Sequence, residues 1–240
     1  MAKRNRKNKA KITDIERERY HGPLITDGVS LVYIKLYPWI GLALSGFMYL
    51  VGSYEDNLGI FKGISLFCGV VNILGVIISF IPYLVNAWKA LIYYLIALTV
   101  LSLVIGLDFI GLLMVISDGS PIGAKEIYQS PLTPFYVIFI LLLFIFACGL
   151  YAWYYLPKNQ GKVWAFNQVK GGSRKKTWWN NFAIAFAGAT IIPSLLTSYI
   201  QIAFGVLLGI LFTLTLPAVM VDAVYAAIYV KKHPDSDELD

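Results

Sequence analysis

Long apolar runs separated by short polar breaks dominate the chain after Tyr37, and the lengths of those runs predict its elements. A helix that crosses a bilayer needs about 20 mainly apolar residues, with a range of roughly 17–25. The stretches Tyr37 to Ser53, Leu58 to Leu84, Trp88 to Ser117 and Thr133 to Leu156 reach that length. The block 179–230 is more than twice what one span requires, so it divides near Thr197–Gln201 into two. Its middle, from Ser194 to Tyr199, is only weakly polar, and the same pattern is compatible with a re-entrant segment in place of one full span. Six helices are expected.

Composition removes the soluble alternatives. Of the 240 residues, 58% are hydrophobic and 14% charged, against roughly 45–50% and about 25% in soluble domains. With a mean hydropathy of +0.67, the chain has too little polar surface to cover itself in water. The fold class expected is all-α: a polytopic helical membrane protein of about six transmembrane helices.

Charge placement gives orientation. Lys and Arg accumulate in cytoplasmic loops. With six spans, eighteen of the twenty basic residues fall on one side: those of the N-terminal segment and Lys35, Lys89, the loop from Lys158 to Lys176, and Lys231 with Lys232. Lys62 and Lys125 face the other way. Both termini are therefore expected in the cytoplasm, in the plasma membrane. The organisation reads as a basic N-terminal segment (1–28), spans one to four with an interfacial lead-in (29–156), a basic loop (157–178), spans five and six (179–230) and a tail (231–240). The start lacks the short charged region and the small-residue cleavage site of a signal peptide. Its basic residues suit anionic lipid headgroups, and Thr13 with Glu16 has capping-box spacing. Trp39, Trp88, Trp153, Trp178 and Trp179 lie near span ends as interfacial anchors.

Polar groups at membrane depth are the candidates for chemistry, because a charged side chain there costs about 2.5–3.5 kcal/mol on insertion scales. Asp222 lies about 13 Å inside the end of span six. Pro217 precedes it and frees the carbonyl of Thr213, with the Thr213 and Thr215 hydroxyls expected nearby. This acid is an ion or proton candidate, or else a buried partner of Lys89 or Lys35. Asp108, late in span three, either reaches the interface or pairs with Lys62. Asn72, in the middle of span two, is expected to hydrogen-bond another helix. Pro193 and Pro217 mark kinks in spans five and six, as suits a moving part. Gly41 with Ser45, Gly59 with Gly63, and Gly205 with Gly209 have small-xxx-small spacing for close packing. In the basic loop, Trp164 and Phe166 among Arg174, Lys175 and Lys176 form a candidate docking surface for a partner.

Several classes lose ground. No P-loop pattern is present, so ATP hydrolysis through one is not expected of this chain. His21 and His233 are the two histidines and lie outside the spans, which disfavours Ser-His catalysis, a metal site or another enzyme chemistry. Cys68 and Cys148 sit at different depths, and no disulfide is expected. No cofactor and no nucleic acid is implied. The expectation is a transport-related permease subunit working with a separate cytoplasmic ATPase. The alternative is a non-transporting immunity, sensory or assembly protein that binds another membrane protein.

Overall fold

The computed structural model describes residues 29–52, 59–117, 124–156, 159 and 200–232. Those residues are helical, with no strand among them. After a 3-10 turn at Leu31–Lys35 come α1 (Tyr37–Val51), α2 (Ile60–Ser79), α3 (Pro82–Ala87), α4 (Lys89–Ile116), α5 (Ala124–Gln129), α6 (Leu132–Tyr154) and α7 (Ile200–Lys232). Four of them, α2, α4, α6 and α7, are long and apolar enough to cross a membrane, and α1 is a shorter apolar helix. The protein is thus a helical, multi-pass membrane protein. The expected fifth span lies outside the described residues.

Local chemistry sets the helix ends. Pro38 occupies the first turn of α1, where a missing N–H costs nothing, and the Gly52 amide closes the far end on the Met48 carbonyl at 2.8 Å. One element departs from the apolar pattern. The run Leu58 to Leu84 predicts a single helix, yet α2 stops at Ser79 and the chain restarts at α3. Pro82 is the cause. It forces its predecessor out of helical geometry, and Ile81 accordingly has φ −115° and ψ 81°. Hydropathy does not register that break, because Phe80, Ile81 and Pro82 are all apolar.

Helix α4 is the centre of the bundle. Most of its side chains are buried, from Ile92 and Tyr93 near one end to Leu112 and Val115 near the other, while Leu91, Tyr94 and Leu98 form an exposed stripe. Its most extensive partner is α7, antiparallel to it. The pair α1–α2 covers another side, and α6 packs chiefly on α7. On α7 the contact face is built of small residues, Ala218, Ala223, Ala226 and Ala227, which let the backbones approach. Gly111 and Gly205 continue that seam: a methyl group added to Gly205 would fall 2.6 Å from the Gly111 carbonyl oxygen.

The segment expected as an interfacial lead-in before span one packs on the bundle. Val29 and Ile34 are buried with Ile92, Ile96, Ala223 and Ala227, while Val32 is exposed.

Candidate functional site

Helical geometry decides where the intramembrane polar groups meet. Thr213 and Asp222 are nine residues apart, which is about 13 Å of rise and about half a turn of rotation, so they face opposite ways. The Thr213 hydroxyl therefore does not serve Asp222. It donates instead to Asp108 across the α4–α7 seam, at 3.0 and 2.9 Å from the two carboxylate oxygens. Antiparallel register brings the two level. Asp108 lies nineteen residues after Lys89, and Thr213 lies eighteen before Lys231. Thr215 turns its hydroxyl back to the Leu211 carbonyl, a common way of satisfying a threonine inside an apolar helix.

Asp108 is consequently bonded to Thr213 and not to Lys62. It is 9% exposed, about 12 Å from the Ile116 end of α4, and the Lys62 ammonium stands over the Tyr49 ring, 5.0 Å from its centroid. Depth counted along one helix carries no information about what covers the residue laterally, and here α7 covers it.

Beside Asp108 lies a cavity of about 300 Å³. Its floor is the face of α4 that carries Val104, Asp108 and Leu112, and its walls come from Met48 and Phe61 on one side and α6 on the other. Since α6 packs on α7 and α4 while α1 and α2 take the far flank of α4, the cavity occupies the gap between them. Tyr136 on α6 reaches across its end, with the hydroxyl 3.5 Å from the Gly205 carbonyl oxygen. A methyl group on Gly209 would also meet that hydroxyl, so the glycines of α7 make room for it.

Asp222 has a different surrounding. It is buried, and its Oδ2 accepts the backbone N–H of Val29 at 2.8 Å. That contact ties the chain before α1 to the last helix, next to the cluster of Ile92, Tyr93 and Ala226. Asn72, wholly buried, donates both amide protons, to the Cys68 carbonyl at 2.8 Å within α2 and to the Ser102 hydroxyl of α4 at 2.6 Å. Its Oδ1 has no hydrogen-bond partner among the described residues and lies against Gly41 of α1.

Pro217 is buried inside α7, which stays helical on both sides of it. Pro193 and the docking candidates Trp164, Phe166, Arg174, Lys175 and Lys176 lie outside the described residues. Among the described residues no three His, Cys, Asp or Glu side chains gather as a metal site would require. The structure brings together Asp108, Thr213 and Tyr136, and it keeps Asp222 and Asn72 apart from them. Thr213 and Tyr136 escaped sequence reasoning as partners of Asp108. For Thr213 a signal existed, the nearly equal counts from Lys89 to Asp108 and from Thr213 to Lys231. The sequence matches no protein-family model, and no curated protein or solved structure matches it either.

Proposed function

We propose that this chain is a transport-related permease subunit of the plasma membrane, with six spans, both termini in the cytoplasm, and a cytoplasmic ATPase as its working partner. One observation carries the reading: a buried carboxylate, held by a hydroxyl at the seam of the two most closely packed helices, borders a cavity. An intramembrane acid is by default a candidate for a solute, ion or proton pathway. Asp108, with Thr213 as its positioning partner, is the polar centre of that pathway. The basic loop residues Arg174, Lys175 and Lys176, with Trp164 and Phe166, form the docking surface for the ATPase. The basic N-terminal segment rests on anionic lipid headgroups.

The test is purification of the tagged chain from its native host in a mild detergent, followed by mass spectrometry. A stoichiometric cytoplasmic ATPase is expected, and it should be lost when Arg174, Lys175 and Lys176 are all replaced by alanine. Recovery of the chain alone would sink the ATP-driven reading.

A second reading has its own observation. Asp222, the other intramembrane acid, accepts a backbone amide of the same chain and so acts as a structural clasp. If Asp108 were likewise structural, the chain would be an immunity, sensory or assembly protein bound to another membrane protein. Co-purification of such a partner at a constant ratio, undisturbed by Asp108→Asn, would favour that role.

A further inference from the structure

The cavity beside Asp108 is almost wholly apolar, with the Asp108 carboxyl and the Tyr136 hydroxyl as the polar groups among its lining side chains. Phe61, Phe109, Tyr136 and Phe144 present ring surface, the remaining lining is aliphatic, and Asp108 is the one charged residue among the described lining residues. Phe61 and Phe109 lie 5.5 Å apart between centroids. We propose that this cavity binds a lipophilic organic cation: an apolar aromatic or alkyl body carrying an ammonium- or phosphonium-type head. The assignment names the substrate class of the transport reading and rests on that reading for the movement of the ligand, though not for its binding.

Acceptor arithmetic supports the sign of the ligand. An ionised carboxylate offers about four lone-pair directions. The Thr213 hydroxyl has one proton to give, shared between the two oxygens at 3.0 and 2.9 Å. No other hydrogen bond or ion pair reaches Asp108 among the described residues, and Lys62, the basic residue nearest in span, faces Tyr49. An acid of this kind in hydrocarbon escapes the cost of its charge by holding a proton or by pairing with a cation, and a cation entering the cavity would take the proton's place. The aromatic rings act in the same direction, because their negative faces attract positive charge.

The walls decide between an organic and an inorganic ion. A hard metal cation needs about six oxygen ligands, and among the lining side chains only the Asp108 carboxylate and the Tyr136 hydroxyl carry oxygen. An organic cation needs the apolar surface that is present. The size fits a small amphiphile, since ligand sites run from about 300 to 1,000 Å³. The route of access is lateral. Val137 and Leu141 of α6 line the cavity and are themselves 40% and 54% exposed, so the gap between α6 and the α1–α2 pair opens where acyl chains lie.

The experiment is equilibrium binding of radiolabelled methyltriphenylphosphonium to the purified full chain in nanodiscs, beside neutral triphenylphosphine oxide of similar size. Saturable binding of the phosphonium is expected, weakened at least tenfold by Asp108→Asn and largely restored by Asp108→Glu. Leu141→Trp, which crowds the mouth from a lipid-facing position, is expected to weaken it comparably. Thr215→Val, on the helix surface away from the cavity, is expected to leave it unchanged. Equal or tighter binding of the neutral oxide would overturn the proposal, as would an unchanged phosphonium affinity in Asp108→Asn. Size-exclusion profiles matching the parent chain, required of each variant, exclude misfolding as the cause of any loss, and Leu141→Trp tests the site without touching the carboxylate. Binding without an associated ATPase or flux in proteoliposomes would leave the cation site standing and remove the transport reading. An associated ATPase without phosphonium binding would do the reverse.

Discussion

Replacing Gly205 by alanine puts the α4–α7 seam to a direct test. The new methyl carbon would fall 2.6 Å from the Gly111 carbonyl oxygen, 2.8 Å from Met114 Cβ and 3.0 Å from Val115 Cγ2. Two of those atoms are backbone or the first atom of a side chain, so no rotamer change relieves the overlap and the helices must separate. A gap of about 0.5–1 Å forfeits at least a quarter of the dispersion energy of each pair it opens. If the seam loses that fraction over one side chain's worth of contacts, about 40–60 pairs at about 0.1–0.2 kcal/mol each, the cost is about 1–3 kcal/mol. Gly63→Ala is the matched control. It sits in a helix as Gly205 does, but a methyl there meets nothing within 4 Å. Both substitutions share the helix-propensity gain of about 0.5–1 kcal/mol, so their difference isolates the seam. Equilibrium unfolding in mixed micelles, followed by tryptophan fluorescence and far-ultraviolet circular dichroism during titration with dodecyl sulfate, measures that difference. If the two variants agree within about 0.5 kcal/mol, the close approach of α4 and α7 is not what holds the bundle together.

Three other perturbations address the polar groups. In a double-mutant cycle of Asp108→Ala with Thr213→Val, read by the same unfolding assay, the coupling is expected at about 0.6 kcal/mol and no more than about 1.7 kcal/mol; additive effects would mean the hydroxyl and carboxylate do not interact. Gly41→Ala places a methyl 2.7 Å from Asn72 Cγ, so it should destabilise by about 1–3 kcal/mol alone and by clearly less in the Asn72→Ala background. A loss that is the same in both backgrounds would refute that packing. Asp222→Ala removes the acceptor of the Val29 amide, and a cysteine at Val29 should then react with maleimide faster than in the parent, whereas Asp222→Asn, which keeps an oxygen, should have the smaller effect.

What the sequence revealed follows from which interactions are local. Run length located α4, α6 and the described part of α7 within two or three residues, because the bilayer fixes how many apolar residues a helix needs. It missed the interruption at Pro82, since proline breaks a helix sterically while counting as apolar. The Gly205–Gly209 spacing pointed to close packing, and the methyl positions at both glycines are filled by α4 and by Tyr136. Partner choice was not legible. Asp222 had hydroxyls in its own helix to suggest a site, yet helical rotation turns Thr213 away from it toward Asp108. The cavity was hidden for the same reason: Met48, Asp108 and Tyr136 come from three helices, and no pattern within one helix places them side by side.

The order of synthesis gives the clasp and the seam a temporal meaning. Thr213 follows Asp108 by 105 residues and Asp222 follows Val29 by 193. At about 5–20 residues per second, Asp108 is made roughly 5–20 s before the hydroxyl that holds it, and Val29 roughly 10–40 s before its acceptor. Throughout that interval the central helix lacks its most extensive partner. Of the described helices the last to leave the ribosome is therefore the one that supplies the central helix with its most extensive partner, and a nascent chain ending before Ile200 has the central carboxylate without the bond that Thr213 supplies.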